Sequence, residues 1–316
     1  MGEAVRVFAP ATIANVGPGF DILGLCLNTP GDILEVMEIT GKTHLIVNET
    51  GIDLPVDPSV NVSTVAIDAL LNHVGSDRRF LIRFIHKIPP GSGIGSSAAS
   101  SAGAVYGVNV ILGNPFKSID LVPFAMKGEE AASGSAHADN VAPALLGGFT
   151  LIRSYSPLDI IPVRFPEDLF CTVVHPDIRL ATQDSRRILK DKVPLNTAIQ
   201  QCGNLAGLVT GLLTSDFRLI GASLHDAIAE PERAFLIPGY KQVREAAVQA
   251  GALGASISGS GPSVFALTQD NETAAKAGEE MKKAFNSLGI KCAVFVSTVN
   301  KTGTTLLGEN KEQVII

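Results

Sequence analysis

Cysteine is scarce in this chain, positive charge is outnumbered, and no apolar run reaches the length of a membrane span. The four cysteines, Cys26, Cys171, Cys202 and Cys292, lie far apart. None forms a Cys-x-x-Cys pair or a Cys/His cluster, which argues against zinc, and the spacing gives no disulfide framework. They read as reduced thiols in a cytoplasmic protein. The 25 Lys and Arg against 31 Asp and Glu leave a net charge of −6, which gives no support for a nucleic-acid partner. Without a long apolar run no membrane span is expected. Met1–Pro10 runs directly into a strand-like segment, so no signal peptide is expected, and Arg6 stands where a myristoylation motif needs Ser or Thr. Repeats and low-complexity tracts are also missing. What remains is 316 residues with 46% hydrophobic and 18% charged content, the make-up of a well-buried globular enzyme.

One further absence is local. The segment Pro89–Pro90–Gly91–Ser92–Gly93–Ile94–Gly95–Ser96–Ser97–Ala98–Ala99 sets three alternate glycines and two adjacent serines between an apolar run ending at Ile85 and a small-residue helix. A Walker A loop needs a lysine after its last glycine, and here Ser96 follows Gly95. A dinucleotide fingerprint is also excluded, because the third glycine comes one residue early and the preceding strand lies about 85 residues into the chain. Glycines let backbone N–H groups approach an anion, and a helix start adds unpaired donors and a positive dipole end. The segment therefore reads as a phosphate cradle, or else as a Gly/Ser-rich surface turn. Ser96 or Ser97 can cap the helix and offer a hydroxyl to a metal. With no lysine in the loop, charge neutralisation would fall to amides, the helix dipole and Mg²⁺.

The first part of the chain reads as strands at Val5–Phe8, Ile33–Ile39, Leu45–Val47 and Phe80–His86, with turn signals at Thr29–Pro30–Gly31 and Asp57–Pro58–Ser59. Val62–Val74, Ala98–Leu112 and Ile119–Ala132 have helical character, and a strand is expected at Gly148–Arg153. From about Ile160 a second unit is expected, with strands at Phe170–His175, Ala255–Ser258, Ser263–Leu267 and Ala293–Val299. Its helices are expected at Thr182–Lys190, Thr197–Leu213, Phe217–Ala229, Tyr240–Ala250 and Glu272–Ser287. The tail beyond Lys301 reads as loose. This pattern predicts an α+β fold on mostly antiparallel sheet, divided as residues 1–160 and 161–316.

Two more glycine-rich segments break ordinary core composition: Ala9-Pro10-Ala11-Thr12-Ile13-Ala14-Asn15-Val16-Gly17-Pro18-Gly19-Phe20-Asp21, and Gly254 to Ser263, which joins two strands. Each alone could be a structural turn, but glycines gather where backbones pass close to one another or to a ligand. Together the three segments resemble the motifs of the GHMP kinases, which phosphorylate small metabolites with ATP. His137-Ala138-Asp139-Asn140-Val141-Ala142-Pro143-Ala144 and Ala229-Glu230-Pro231-Glu232-Arg233 are similar to the branch acting on L-homoserine. The resemblance implies transfer of the γ-phosphoryl group to the homoserine side-chain hydroxyl, in threonine biosynthesis. It also implies two domains, a ribosomal protein S5 domain 2-like one and a ferredoxin-like one, with ATP in the cleft between them. A homodimer in the cytoplasm is what it suggests.

The same resemblance assigns roles. Arg186 and Arg233 would hold the substrate carboxylate, for which a planar guanidinium is suited; as surface arginines in ion pairs they would need no such role. Asp21 would accept from the substrate ammonium, and Asn15 and Asn140 would position the hydroxyl, although Asp21 and Asn15 also suit a turn. His137 is either a pocket donor or a structural histidine. Ser97 and Glu129 would ligate Mg²⁺, with Glu130 as the competitor one residue on, and adenine would pack near Asn61. Asn140 occupies the position at which some relatives carry a catalytic Asp, and its amide cannot take up a proton; Asp139 is a second candidate base. A mevalonate-type kinase, a non-catalytic nucleotide-binding regulator and a Rossmann-type oxidoreductase are the competing readings.

Overall fold

The computed structural model describes residues 4–180 and 182–308. The chain opens with β1 (Val5–Ala14), β2 (Leu23–Ile39) and β3 (Leu45–Asn48), followed by α1 (Val62–Val74), β4 (Arg79–His86) and α2 (Ser96–Ile111). Then come α3 (Ser118–Ser133), α4 (Ala138–Leu146) and the hairpin of β5 (Phe149–Tyr155) with β6 (Leu158–Val163). The later part contains β7 (Phe170–Pro176), α5 (Thr182–Arg187), α6 (Leu195–Thr214), α7 (Phe217–Ser223), α8 (Ala229–Arg233) and α9 (Tyr240–Gln249). It ends with β8 (Gly254–Ile257), β9 (Val264–Thr268), α10 (Asn271–Ser287), β10 (Cys292–Thr298) and β11 (Thr305–Leu306).

One sheet runs β11-β1-β2-β4-β3, with the β5–β6 hairpin attached to the first part of β2; the other runs β10-β7-β9-β8. Among these pairings only β3–β4 is parallel. Alternation along the second sheet separates its faces. Val174, Val264 and Ala266 point into a core with Val243 and Ala247 of α9 and Met281 and Phe285 of α10. Cys171, Val173, Phe265 and Leu267 point the other way, into a core shared with Ile13 of β1, Leu25 of β2 and Leu208 and Leu212 of α6. The two sheets are thus joined by apolar packing, which brings their loops to one cleft.

Helix α10 shows how an ordinary surface helix is specified here. Ala274, Ala277, Gly278, Met281 and Phe285 make one buried face, and Asp270 caps it by accepting from the Thr273 N–H at 2.7 Å. Helix α2 is built differently, since it is buried almost all round. A Cβ on Gly103 would come within 2.6 Å of Leu34, and one on Gly107 within 2.6 Å of Val36. Its small residues therefore let the helix lie directly on β2, and that fixes where its N-terminus points.

The structure differs from the sequence-based expectation in several elements. Strand β2 passes straight through Thr29–Pro30–Gly31, expected as a turn. Gly31 is there because the Phe8 ring would lie 2.1 Å from a Cβ, and the β1–β2 register shifts between Pro10 and Thr12, where a strand proline is tolerated. Helix α2 starts at Ser96 rather than Ala98, α5 ends at Arg187, and α7 stops at Ser223. Strand β6 crosses the expected 160/161 division and pairs with β5 up to Val163. Of the tail beyond Lys301, residues 302–308 are docked rather than loose, and residues 309–316 lie outside the described residues: Thr304 bonds Ala144 O through its N–H at 2.8 Å and its hydroxyl at 2.9 Å, and β11 pairs with β1.

Gly303 makes that docking testable. It has φ of +71°, and a Cβ there would lie 2.6 Å from the Leu145 backbone. Gly303→Ala is expected to lose more than about 1 kcal/mol of stability, read as a lower urea midpoint. An unchanged midpoint would show that this segment does not pack as described.

Candidate active site

The glycine-rich loop and the start of α2 face a cavity of about 620 Å³. Gly91, Gly93 and Gly95 all have positive φ, between 70° and 79°. Gly93 also has Gly261 O 2.5 Å from the position of a Cβ, and Gly95 has the Thr12 hydroxyl at 2.0 Å, so neither has room for a side chain. The third glycine segment holds the loop from behind: Ser258 Oγ donates to Gly93 O and Ser263 Oγ to Ser92 O, each at 2.6 Å. His175 Nδ1 lies 3.1 Å from Ser263 Oγ and completes that support. With these two carbonyls tied to the second sheet, and no side chain capping α2, the first-turn amides are left for an anion, whereas the Ser92 N–H donates to Pro89 O at 3.3 Å. This corrects the expected capping by Ser96 or Ser97, since Gly95 is the N-cap and both serines bond elsewhere.

Beneath the loop is a buried charged pair. Lys87 Nζ lies 3.0 Å from Asp32 Oδ2, 2.9 Å from Ser96 O and 2.5 Å from Ser96 Oγ. Asp32 also accepts from the Ile88 N–H at 2.8 Å and from Ser100 Oγ at 2.7 Å. Ser96 Oγ in turn donates to Ile88 O at 2.7 Å. Burial pulls the Lys87 ammonium below its ordinary value, while Asp32 and, more weakly, Glu129 push it back up. Sequence reasoning missed Lys87 and Asp32, because their roles arise from a contact across 55 residues of chain.

On the cavity side, Ser97 Oγ donates to both Glu129 oxygens, at 2.7 and 2.9 Å. Glu129 is buried, and that burial raises its carboxyl above the ordinary value, against the Ser97 hydrogen bond and the Lys87 charge. Its competitor Glu130 is exposed and paired with Lys127 at 2.9 Å. A buried carboxylate and a serine hydroxyl side by side at a helix start suit Mg²⁺, which takes one or two protein oxygens and completes its shell with phosphates and water. Among the described residues no group of three or more His, Cys, Asp or Glu is placed to hold a metal by itself.

The other end of the cavity carries a compact charged cluster. Arg186 Nη2 donates to Asp21 at 2.7 and 2.8 Å and to His137 Nε2 at 2.6 Å. His137 is held below its ordinary pKa by burial first, against the Asp21 charge, so it serves as the neutral acceptor of this contact. Both Arg186 and Arg233 stack over the Phe20 ring, at 5.6 and 5.2 Å. Arg233 is buried and donates to Ser185 O at 3.1 Å and Gly259 O at 2.9 Å. Asn15 also donates to Gly259 O, at 2.9 Å, and accepts from the Asp21 N–H at 3.0 Å. Asn140 Oδ1 accepts from Thr12 at 2.8 Å, which leaves its Nδ2 as a donor.

A glycine-rich loop of this kind, set between two α+β layers, has recognisable relatives. The model of the GHMP kinases N terminal domain matches residues 61–148, and that of the GHMP kinases C terminal region matches residues 208–287. A homoserine kinase from Chlorobium phaeobacteroides is 44% identical over 96% of this chain and 100% of its own length. The chain belongs to the GHMP kinase family. A homoserine kinase from Pyrococcus abyssi is 38% identical over 94% of the chain and 97% of its own. The crystal structure of homoserine kinase from Cytophaga hutchinsonii superposes with a TM-score of 0.93 at 47% identity, covering 97% of this chain and 98% of that one. Mevalonate kinase from L. major, at 14% identity and a TM-score of 0.70, shares the fold alone.

In this GHMP kinase the expected site residues divide by place. Asn15, Asp21, Asn61, Pro90, Gly91, Gly93, Gly95, Ser96, Ser97, Glu129, His137, Asn140, Arg186 and Arg233 line the one cavity. Ser92, Ile94, Ala98 and Ala99 are buried in the loop and helix that support it. Asn61 caps α1 through the Ser63 N–H at 2.9 Å and donates to Pro55 O at 2.6 Å. It lies at an apolar end with Leu54, Val60, Val62 and Phe84.

The buried pair gives a test of what supports the kinase loop. Lys87→Met alone leaves the Asp32 carboxylate buried without its cation and is expected to cost about 3–5 kcal/mol. Combining it with Asp32→Asn should regain most of that loss in urea denaturation. A single variant as stable as the native protein would mean that the pair does not hold the loop.

Proposed function

We propose that this GHMP kinase is a homoserine kinase, transferring the γ-phosphoryl group of ATP to the side-chain hydroxyl of L-homoserine in threonine biosynthesis. The observation that carries the acceptor assignment is the Asp21–Arg186 pair in the cavity that the apolar residues around Asn61 also line. A zwitterionic amino acid can answer both partners, its ammonium to Asp21 and its carboxylate to Arg186 and Arg233. Mevalonate has no ammonium and would leave Asp21 facing only a carboxylate.

In the proposed reaction the loop amides and the α2 dipole hold the phosphate chain, and the apolar pocket takes the adenine. Ser97 and Glu129 would hold Mg²⁺, which when bound neutralises phosphate charge. Asn140 Nδ2 and the remaining amide N–H of Asn15 position the acceptor hydroxyl for in-line attack. Neither amide takes up the proton, which passes late to a γ-phosphate oxygen; a loose transition state asks mainly for positioning and charge stabilisation. Asp139 is assigned a supporting role, because its buried carboxylate accepts the Asn15 backbone N–H. Homodimeric assembly and cytoplasmic residence belong to the same proposal and rest on the family resemblance.

An ATP-coupled assay with Mg²⁺ across homoserine, mevalonate and shikimate tests the reading. Turnover with homoserine alone is expected, and turnover with mevalonate but not homoserine would overturn it. Arg186→Ala should raise KM for homoserine by at least about tenfold while leaving KM for ATP nearly unchanged.

Asp139→Asn tests the absence of a protein base. Burial first, then the Asp21 and Glu129 charges, push the Asp139 carboxyl up to about 7. A raised carboxyl stabilises the fold fully below the unfolded value of about 4, and loses that contribution as pH rises through its folded value. The variant should therefore be more stable than the native protein above about pH 7 and keep turnover within about tenfold, whereas loss of a true base costs about 10²–10⁴. A loss in that larger range with substrate binding intact would make Asp139 the base.

A further inference from the structure

Tyr155 stands at the end of β5, outside the cavity lining, and none of the family motifs includes it. Its hydroxyl donates to Asp21 O at 2.6 Å and accepts from the Ala138 N–H at 3.2 Å. Burial first, then the Asp139 carboxylate, push the phenol above its ordinary value, so it remains a neutral donor. Both partners are places where the backbone needs help. Asp21 has φ of +61°, a left-handed conformation that a non-glycine residue holds only when its surroundings fix it. Ala138 is the first residue of α4, whose N-cap, His137, makes no side-chain capping bond. The tyrosine hydroxyl therefore supplies the missing cap from another strand.

The two segments so joined are the two walls of the acceptor end. One carries the Asp21 carboxylate, the other His137 and Asn140, and Arg186 reaches both. The His137 ring also meets the Tyr155 ring edge to face, with centroids 6.5 Å apart. We propose that Tyr155 is a positioning residue for the phosphoryl acceptor, setting the distance between the Asp21 carboxylate and the α4 start through one bridging hydroxyl. This rests on the acceptor assignment above. It places a determinant of acceptor affinity on the β5–β6 hairpin, behind the cavity wall.

Tyr155→Phe removes the oxygen and keeps the ring. On the native enzyme, homoserine turnover is measured first; its absence would defeat the acceptor assignment and not the role of Tyr155. In the variant KM for homoserine should rise about tenfold, as expected for losing hydrogen bonds that hold one wall, with KM for ATP within about twofold. Amide hydrogen exchange should speed up at Ala138 while the α2 amides keep their protection. A general loss of packing would move both KM values and exchange across both helices. Unchanged kinetics, an equal rise in the two KM values, or unchanged exchange at Ala138 would each overturn the proposal.

Discussion

Asp32 lies within β2 with no solvent exposure, and its carboxylate is met by an ammonium, a backbone N–H and a serine hydroxyl. A buried charge is tolerated only when it is paired and hydrogen-bonded, and here each partner belongs to a different part of the proposed nucleotide site. Ile88 leads out of β4, Ser100 lies in the second turn of α2, and Lys87 reaches on to Ser96 at the first turn. One carboxylate thus fixes where the strand ends, where the helix begins and how the loop spans the interval. Ser97 is held on the opposite side of the same turn, and through it the placement of Glu129 depends on Asp32.

The lysine absent from the loop takes on a different meaning in this light. In a Walker A loop the lysine points at the phosphates. Lys87 instead lies under the loop with its charge compensated by Asp32, which makes it an anchor for the donors more than a counter-charge. The donors are aimed from the other side as well, by Ser258 and Ser263 holding two loop carbonyls onto the second sheet. Apolar packing between the sheets is what keeps those serines in reach, so the loop geometry depends on the shared core around Ile13, Phe265 and Leu208.

What the sequence revealed and what it hid follow from range. The glycine loop was legible because its requirements are local: positive φ and an open helix start leave their mark in consecutive residues. Helix α10 was legible for the same reason, through its spacing. Asp32, Lys87 and Tyr155 were not, since each acts through at least one partner 55 to 134 residues away and no short pattern records that. Thr29–Pro30–Gly31 misled because the same residues that make turns also admit a close neighbour, here the Phe8 ring. Helix α4 lacked a start signal because its cap comes from β5. The segment around Thr304 looked loose because its partners lie at Ala144 and in β1.

The acceptor end of the cavity has a further energetic consequence under the proposed function. Asp21 and Arg186 bond each other, and both are partly exposed, with side chains 26% and 34% accessible. At that exposure the pair is worth little, because water screens it and competes for both groups. Exchanging it for an incoming ammonium and carboxylate therefore costs little, while the buried Arg233 over the Phe20 ring adds a second guanidinium for the carboxylate. A substrate offering only one of the two charges would satisfy one partner and leave the other desolvated and unpaired. Discrimination for an amino acid over a plain hydroxy acid would then come less from the strength of any new contact than from the group that a wrong substrate leaves alone.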